Sequence, residues 1–198
     1  MAIRLGTVWM MIVLVSRAAT AGAGPVPTLE ACIQDAPPAS YRAMLSATLM
    51  ASQIYAEAGI MLRWANRCLP HMLVVIMLTG EREAAMSARL QPQKAVLGFA
   101  VTRAHRVYLF YDRLSLIAGD RFEKILARVI AHEIGHVLLP AQGHSDHGLM
   151  RSQADLKEPA SFTTTQREFM RRFITNGLPV PAAPKPVRAP SGPDDPSE

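Results

Sequence analysis

The sequence feature that most constrains this chain is a metal-binding pattern at helical spacing, His132-Glu133-x-x-His136. Residues at positions i and i+4 of an α-helix share a face, so both imidazoles can bind one ion while Glu133 lies beside them. Apolar residues recur at helical spacing ahead of the motif, at Phe122, Ile125, Leu126, Val129 and Ile130. Continuing this stripe reaches the motif, which predicts one helix with both histidines on its inward face.

Local signals mark the two ends of this helix. Asp120 followed by Glu123 is typical of a capping box and predicts the start of the helix. Leu139 precedes Pro140, and a residue before proline disfavours helical dihedral angles, so we predict that the helix ends there.

The chemistry of zinc explains why two histidines have this spacing. Zinc binds neutral imidazole nitrogens, and a catalytic zinc site uses three protein ligands and one water. We expect the third ligand from the stretch just after the helix, which holds two further histidines before Met150. The ion would lower the pKa of its water to about 7, and Glu133 is placed to take the proton as general base.

Composition divides the chain into three parts. Residues 1–23 have the pattern of a signal peptide, with Arg4, an apolar run at residues 8–15 and an A-x-A-like cleavage site ending at Ala21 or Ala23. Arg17 follows the apolar run, so an uncleaved anchor is the alternative. Residues 24–176 suffice for one domain with its own core, and residues 177–198 are a proline-rich tail that we expect to be disordered. We therefore expect a secreted or periplasmic protein.

Charge and cysteine content bear on partners and compartment. The formal charge of +5 falls to +3 once Arg4 and Arg17 leave with the signal peptide, and without a basic run it does not indicate nucleic-acid binding. In an oxidising compartment the two cysteines, Cys32 and Cys68, most simply form a disulfide. The alternative is that the Cys32 thiolate caps the zinc in an inactive precursor.

Hydrophobic patterns predict five short strands and two further helices. The strands are expected at residues 28–34, 60–64, 72–78, 95–102 and 106–111. The helices are expected at residues 40–58, closed by Gly59, and at residues 161–174, where Thr163 and Gln166 form a capping box. Residues 81–94 show no decisive pattern, and we interpret His71 and His105, at strand edges, as surface histidines.

The order of elements and motifs resembles that of the metzincin metallopeptidases. HEIGH at residues 132–136, GHS at 143–145 and GLM at 148–150 are similar to the HExGHxxGxxHS motif and the methionine turn of matrixin-type members. ASQIYAEAGIMLRW at residues 51–64 and VYLFYDR at 107–113 resemble small secreted bacterial members. The resemblance implies an α+β fold, in which a small mixed β-sheet packs on a first helix and an active-site helix, with a C-terminal helix.

The chain departs from the family pattern where the third zinc ligand is expected. The family's glycine corresponds to Leu139 and its third histidine to Gln142, so His144 comes two residues late. Ser145 matches the family's His-Ser pair, and Met150 lies near the family's methionine, which forms the hydrophobic floor of the site without binding metal.

Carried over to this chain, the resemblance implies one zinc ion on His132, His136 and His144. Two residues of the same loop, Asp146 and His147, are alternative third ligands. Glu158 is a further alternative, which Pro159 disfavours because a helix is needed there.

The resemblance also implies an activity, the hydrolysis of peptide bonds by an exported zinc endopeptidase with Glu133 as general base. Its substrate would lie antiparallel to an edge strand above the metal helix, within residues 95–111. A peptide or protein substrate is the expected partner, and we expect a monomer without stable membrane association after cleavage of the signal peptide. The alternative function is a secreted zinc-binding protein without turnover, a pseudo-enzyme or a structural module, with a fourth ligand in place of the water.

Overall fold

The computed structural model describes residues 24–90, 96–139, 144–152 and 159–177. The predicted signal peptide and the predicted tail beyond Gly177 lie outside the described residues, so both stay predictions. None of the helices within the described ranges is both long enough and apolar enough to cross a membrane.

Five strands within these ranges form one mixed sheet and confirm the predicted strands. They are β1 (Thr28–Gln34), β2 (Met61–Ala65), β3 (Leu73–Leu78), β4 (Gly98–Val101) and β5 (Arg106–Phe110). Their spatial order is β2-β1-β3-β5-β4, in which the first four are parallel and β4 runs antiparallel to β5. Strand β4 therefore pairs on one side only and forms an edge of the sheet.

Five α-helices lie within the described ranges. They are α1 (Tyr41–Glu57), α2 (Gly80–Leu90), α3 (Tyr111–Ala118), α4 (Phe122–Leu138) and α5 (Thr164–Thr175). Helices α1, α4 and α5 confirm the three predicted helices, and Gly59, with a left-handed φ of 73°, follows the end of α1. The predicted α+β arrangement of a mixed sheet, a first helix, a motif helix and a C-terminal helix is confirmed.

Helices α2 and α3 were not predicted, because contacts between them rather than local patterns stabilise their first turns. The buried Glu83 carboxylate of α2 accepts hydrogen bonds from the backbone N–H groups of Asp112 and Arg113, at 2.9 and 3.2 Å. In return, the Asp112 carboxylate accepts a 2.6 Å hydrogen bond from the N–H of Gly80. Each helix thus supplies the carboxylate that caps the other, which satisfies N–H groups that have no partner inside the helix.

The main hydrophobic core lies between the sheet and helices α1 and α4. Tyr55 of α1 is fully buried there, and its hydroxyl donates a 2.9 Å hydrogen bond to the carbonyl oxygen of Ala131, the residue before the motif. A smaller cluster on the opposite face of the sheet packs against Met86 of α2. The helix that carries the motif is therefore held by α1 as well as by the sheet.

The two cysteines form a disulfide, as the sequence predicted. Cys32 on β1 is bonded to Cys68, in the connection between β2 and β3. Because β1 lies between β2 and β3, this connection must cross over β1, and the disulfide ties it to the strand that it crosses. The alternative role of Cys32, as a thiolate over the metal, is wrong for this oxidised chain.

The capping box predicted at the start of the motif helix is wrong. Helix α4 begins after a 3-10 turn at Gly119–Arg121, with Arg121 at the N-cap position, and no side chain caps it, so Asp120 and Glu123 form no capping box. The turn leads straight from α3 into α4 and leaves no extended residue to act as a side-chain cap.

The prediction of a surface histidine at position 105 is also wrong, because His105 is buried, with 3% of its surface exposed. It ends the tight connection between β4 and β5 in a left-handed conformation, with φ of 51°, and α4 packs against this connection. His71, by contrast, is exposed, as predicted, and lies 3.5 Å from the Glu30 carboxylate.

Candidate metal centre

The structure brings together three of the histidines named from the sequence. His132, His136 and His144 each offer a ring nitrogen, and these nitrogens all lie within 4.8 Å of one another. The Nε2 atoms of His132 and His136 are 3.1 Å apart. The His144 ring centroid is 5.4 and 5.0 Å from those of His132 and His136. Two imidazoles from one helix and one from the following loop therefore converge on one point.

A backbone contact fixes the orientation of His132. Its Nδ1 lies 2.8 Å from the carbonyl oxygen of Leu149, which can only accept a hydrogen bond. The proton of a neutral His132 ring is therefore on Nδ1, and the lone pair of Nε2 points towards the other two histidines. The same contact ties the helix to the loop that carries His144.

The loop that carries His144 is closed by its own backbone. The N–H of Ser145 donates a 2.8 Å hydrogen bond to the carbonyl of Met150, and the N–H of Leu149 donates one of 2.8 Å to Ser161. Gly148 makes this closure possible with a φ of 77°, and a Cβ there would lie 2.6 Å from the Ser161 carbonyl oxygen. Both the conformation and the space at this position require glycine.

Met150 packs against the motif helix at Gly135. It is fully buried, and a Cβ added to Gly135 would lie only 2.5 Å from its sulfur and 3.3 Å from the Phe162 ring. The glycine of HEIGH therefore lets the methionine side chain approach the helix backbone. Met150 thus packs on the helix that carries His132 and His136, and its role as the floor of a metal site stays a prediction.

Glu133 is the buried acidic residue of the motif. It is 6% exposed, and its Cγ atom lies close enough to β4 that a Cβ on Gly98 would be 3.1 Å from it. Burial raises the pKa of Glu133 to about 8. A cation bound by the histidines would lower that pKa again, because a nearby positive charge favours the carboxylate. The carboxyl group can therefore hold or release a proton near neutral pH.

The two helical histidines are held in the neutral form that a metal needs. Burial, together with the neighbouring imidazoles of His132 and His144, lowers the pKa of His136 to about 4. Burial also lowers the pKa of His132, against the opposite effect of the Leu149 carbonyl. Neutral imidazoles present free lone pairs without first losing a proton.

These residues fit a zinc ion. Two ligand nitrogens on a tetrahedral zinc lie about 3.3 Å apart, given Zn–N distances of about 2.0–2.1 Å, and the two Nε2 atoms on α4 are 3.1 Å apart. Three imidazole nitrogens are also a donor set that suits zinc better than it suits cations that prefer oxygen ligands.

The residues considered as third ligand lie in different environments. Asp146 and His147 are exposed and do not belong to the cluster, whereas His144 does. Gln142 and Glu158 lie outside the described residues. Sequence reasoning missed the Leu149 carbonyl and the contact with Gly98, since neither a backbone carbonyl nor a packing contact leaves a motif.

Fold and site together define an α+β protein with a three-histidine centre suited to zinc. No family model matches the chain, and no curated protein matches it significantly in sequence. Solved structures with a similar fold include two archaemetzincins. One, from Archaeoglobus fulgidus and complexed with malonate, is 13% identical with a TM-score of 0.47, and the match covers 72% of this chain and 99% of that one. The other, from Methanopyrus kandleri, is 14% identical with a TM-score of 0.48, and the match covers 82% and 99%.

A substitution at Gly98 tests how closely the edge strand packs on β5 and on the motif helix. A Cβ there would lie 2.8 Å from the Leu109 side chain, 2.9 Å from the backbone oxygen of Tyr108 and 3.1 Å from the Cγ atom of Glu133. We expect Gly98→Ala to lower the free energy of unfolding by about 1–3 kcal/mol, measured by denaturant titration. The control is Gly24→Ala, where a Cβ meets nothing within 4 Å. Equal unfolding free energies for the two variants would contradict this packing.

Proposed function

We propose that the protein is a zinc-dependent endopeptidase, with zinc bound by His132, His136 and His144 and Glu133 as the general base. The observation that supports it most is the convergence of the three ring nitrogens beside a buried glutamate. Zinc at this position would supply Lewis acidity, which polarises the carbonyl to be attacked and lowers the pKa of water.

The chain's own residues account for the proton transfers. The Glu133 carboxylate takes a proton from the attacking water and then gives it to the nitrogen of the leaving amine as the C–N bond breaks. Burial alone raises the pKa of Glu133 to about 8, and a cation on the histidines would lower it, so the group can be the carboxylate of the first step and the acid of the second. An ordinary exposed glutamate would release the proton to solvent at neutral pH.

The edge strand β4 is the element that could align an extended peptide. Among the strands that the structure describes it pairs with β5 alone, and it packs directly on the motif helix, beside Glu133. An extended chain can add to such an edge through main-chain hydrogen bonds, which suits a substrate that is itself a polypeptide. We therefore assign the substrate to β4, within the region that the sequence had indicated.

The site favours catalysis over a purely structural role. A structural zinc site has four protein ligands, whereas a catalytic one keeps a position open. In the part of the chain that the structure describes, the cluster contains three histidines, and the exposed Asp146 and His147 do not complete it. A buried glutamate beside the histidines also has no purpose in a closed site.

Export is part of the proposal. The signal-peptide pattern of residues 1–23 and the Cys32–Cys68 disulfide both favour a secreted or periplasmic protein. Mass spectrometry of the protein recovered outside the cytoplasm is expected to show an N-terminus at Gly22 or Gly24. Recovery of the chain only from the cytoplasm, with Met1 and the following residues intact, would refute export.

Metal removal tests the proposed activity directly. Dialysis against a strong chelator is expected to remove about one zinc per chain and abolish cleavage of an unfolded protein substrate, since the general base alone does not polarise the peptide carbonyl. Added zinc should restore cleavage, and the same chelator saturated with zinc should have no effect. Activity that survives complete loss of metal, verified by elemental analysis, would exclude a zinc peptidase.

A further inference from the structure

We propose that Gln166 is a positioning residue for His144, acting through Ser145; this inference rests on the proposed metal site. Gln166 lies in the first turn of α5 and is buried, with 5% of its surface exposed. Its side-chain amide links two parts of the chain that are far apart in sequence, the capping box of α5 and the loop of the third histidine.

The capping box uses only half of the Gln166 amide. The backbone N–H of Gln166 donates to the Thr163 hydroxyl at 3.2 Å, and the side-chain Oε1 atom of Gln166 accepts from the backbone N–H of Thr163 at 2.9 Å. Its Nε2 donates a third hydrogen bond, of 3.3 Å, to the hydroxyl oxygen of Ser145. Glutamate caps helices in this position as well as glutamine does, but it lacks the N–H₂ group. The contact with Ser145 gives a reason for glutamine here.

Three hydrogen bonds hold Ser145 in place. Its hydroxyl accepts from Gln166 and donates to the carbonyl of His147 at 2.9 Å, while its backbone N–H donates to the carbonyl of Met150 at 2.8 Å. Ser145 directly follows His144, so these bonds define where the His144 backbone lies relative to α5.

The third histidine needs such support more than the other two. His132 and His136 are fixed by α4, and His132 also by the Leu149 carbonyl. His144 is exposed on a loop, and among the described residues no hydrogen bond holds its imidazole. A ligand on a mobile backbone loses more conformational entropy when it binds metal, so a fixed backbone raises metal affinity. Ser145 and Gln166 would supply that fixed backbone.

The variant Gln166→Glu separates this role from helix capping. It keeps the Oε1 acceptor for Thr163 and removes the donor to Ser145. We expect zinc affinity, measured by competition with a chromophoric chelator, to fall about 10-fold or more, as for other residues that orient metal ligands. The visible absorption spectrum of the cobalt-substituted protein should change, while the melting temperature of the metal-free protein should fall by no more than that of Thr163→Ala, which loses a helix cap instead.

Two matched variants complete the experiment. Ser145→Ala should weaken zinc binding to a similar extent, and combining it with Gln166→Glu should add little, because both remove the same contact. Thr163→Ala removes a cap but leaves the Gln166 amide in place, so it should lower the melting temperature by about 4 °C with near-normal zinc affinity.

The outcomes are distinct. Wild-type zinc affinity and an unchanged cobalt spectrum in Gln166→Glu would overturn the positioning role and leave the proposed peptidase standing. A loss of affinity in Thr163→Ala as large as in Gln166→Glu would also overturn it, since helix stability alone would then explain both. If the wild-type protein binds no zinc, the proposed function fails, and the positioning role fails with it.

Discussion

Glu133→Gln is expected to lower peptidase activity by about 10²–10⁴-fold, the range that general acid–base catalysis contributes. The amide has nearly the same shape as the carboxylic acid, but it can neither accept the proton of the attacking water nor return it to the leaving amine. The three histidines are untouched, so zinc content and fold should stay as in the wild type. Steady-state kinetics on a peptide substrate and elemental analysis measure the two effects.

The matched control for this substitution is Glu123→Gln, which makes the same chemical change in the first turn of the same helix. Glu123 is exposed and far along α4 from the motif, so activity should be unchanged. Wild-type activity in Glu133→Gln would remove this residue from the mechanism. Loss of zinc together with activity would instead show that Glu133 helps to build the site.

His144→Ala is expected to weaken zinc binding by more than about 100-fold, since even residues that merely orient a ligand cost 10–100-fold. Removal of His144 leaves two imidazoles on α4, and zinc sites need at least three protein ligands to hold the ion firmly. Zinc bound per chain after gel filtration, and the dissociation constant from chelator competition, measure the loss.

His147→Ala provides a control within the same loop. His147 is exposed and outside the cluster, and its contact with Ser145 uses the backbone carbonyl, which alanine retains. Zinc affinity should therefore be close to that of the wild type. The opposite pattern, with zinc lost in His147→Ala and kept in His144→Ala, would reassign the third ligand and require another arrangement of the loop.

Elements whose signals are local could be predicted from the sequence. The motif helix follows from the spacing of apolar residues, and α5 follows from its capping box, which is present between Thr163 and Gln166. The five strands follow from short apolar runs between turn residues. The polar helix α2 was not predicted and His105 was wrongly predicted to be exposed, because both depend on contacts with distant parts of the chain.

What the sequence by itself determined is the chemistry of the motif: two histidines one helical turn apart, with a glutamate beside them, on one face of a helix. Only the tertiary structure decided which later residue joins them, because a loop has no fixed period and its course depends on contacts far away in sequence. The Leu149 carbonyl orients His132, Gly98 packs beside Glu133, and the loop closed on Ser161 brings in His144 rather than Asp146 or His147. Periodicity encodes a face of a helix, whereas a metal site is completed by long-range packing.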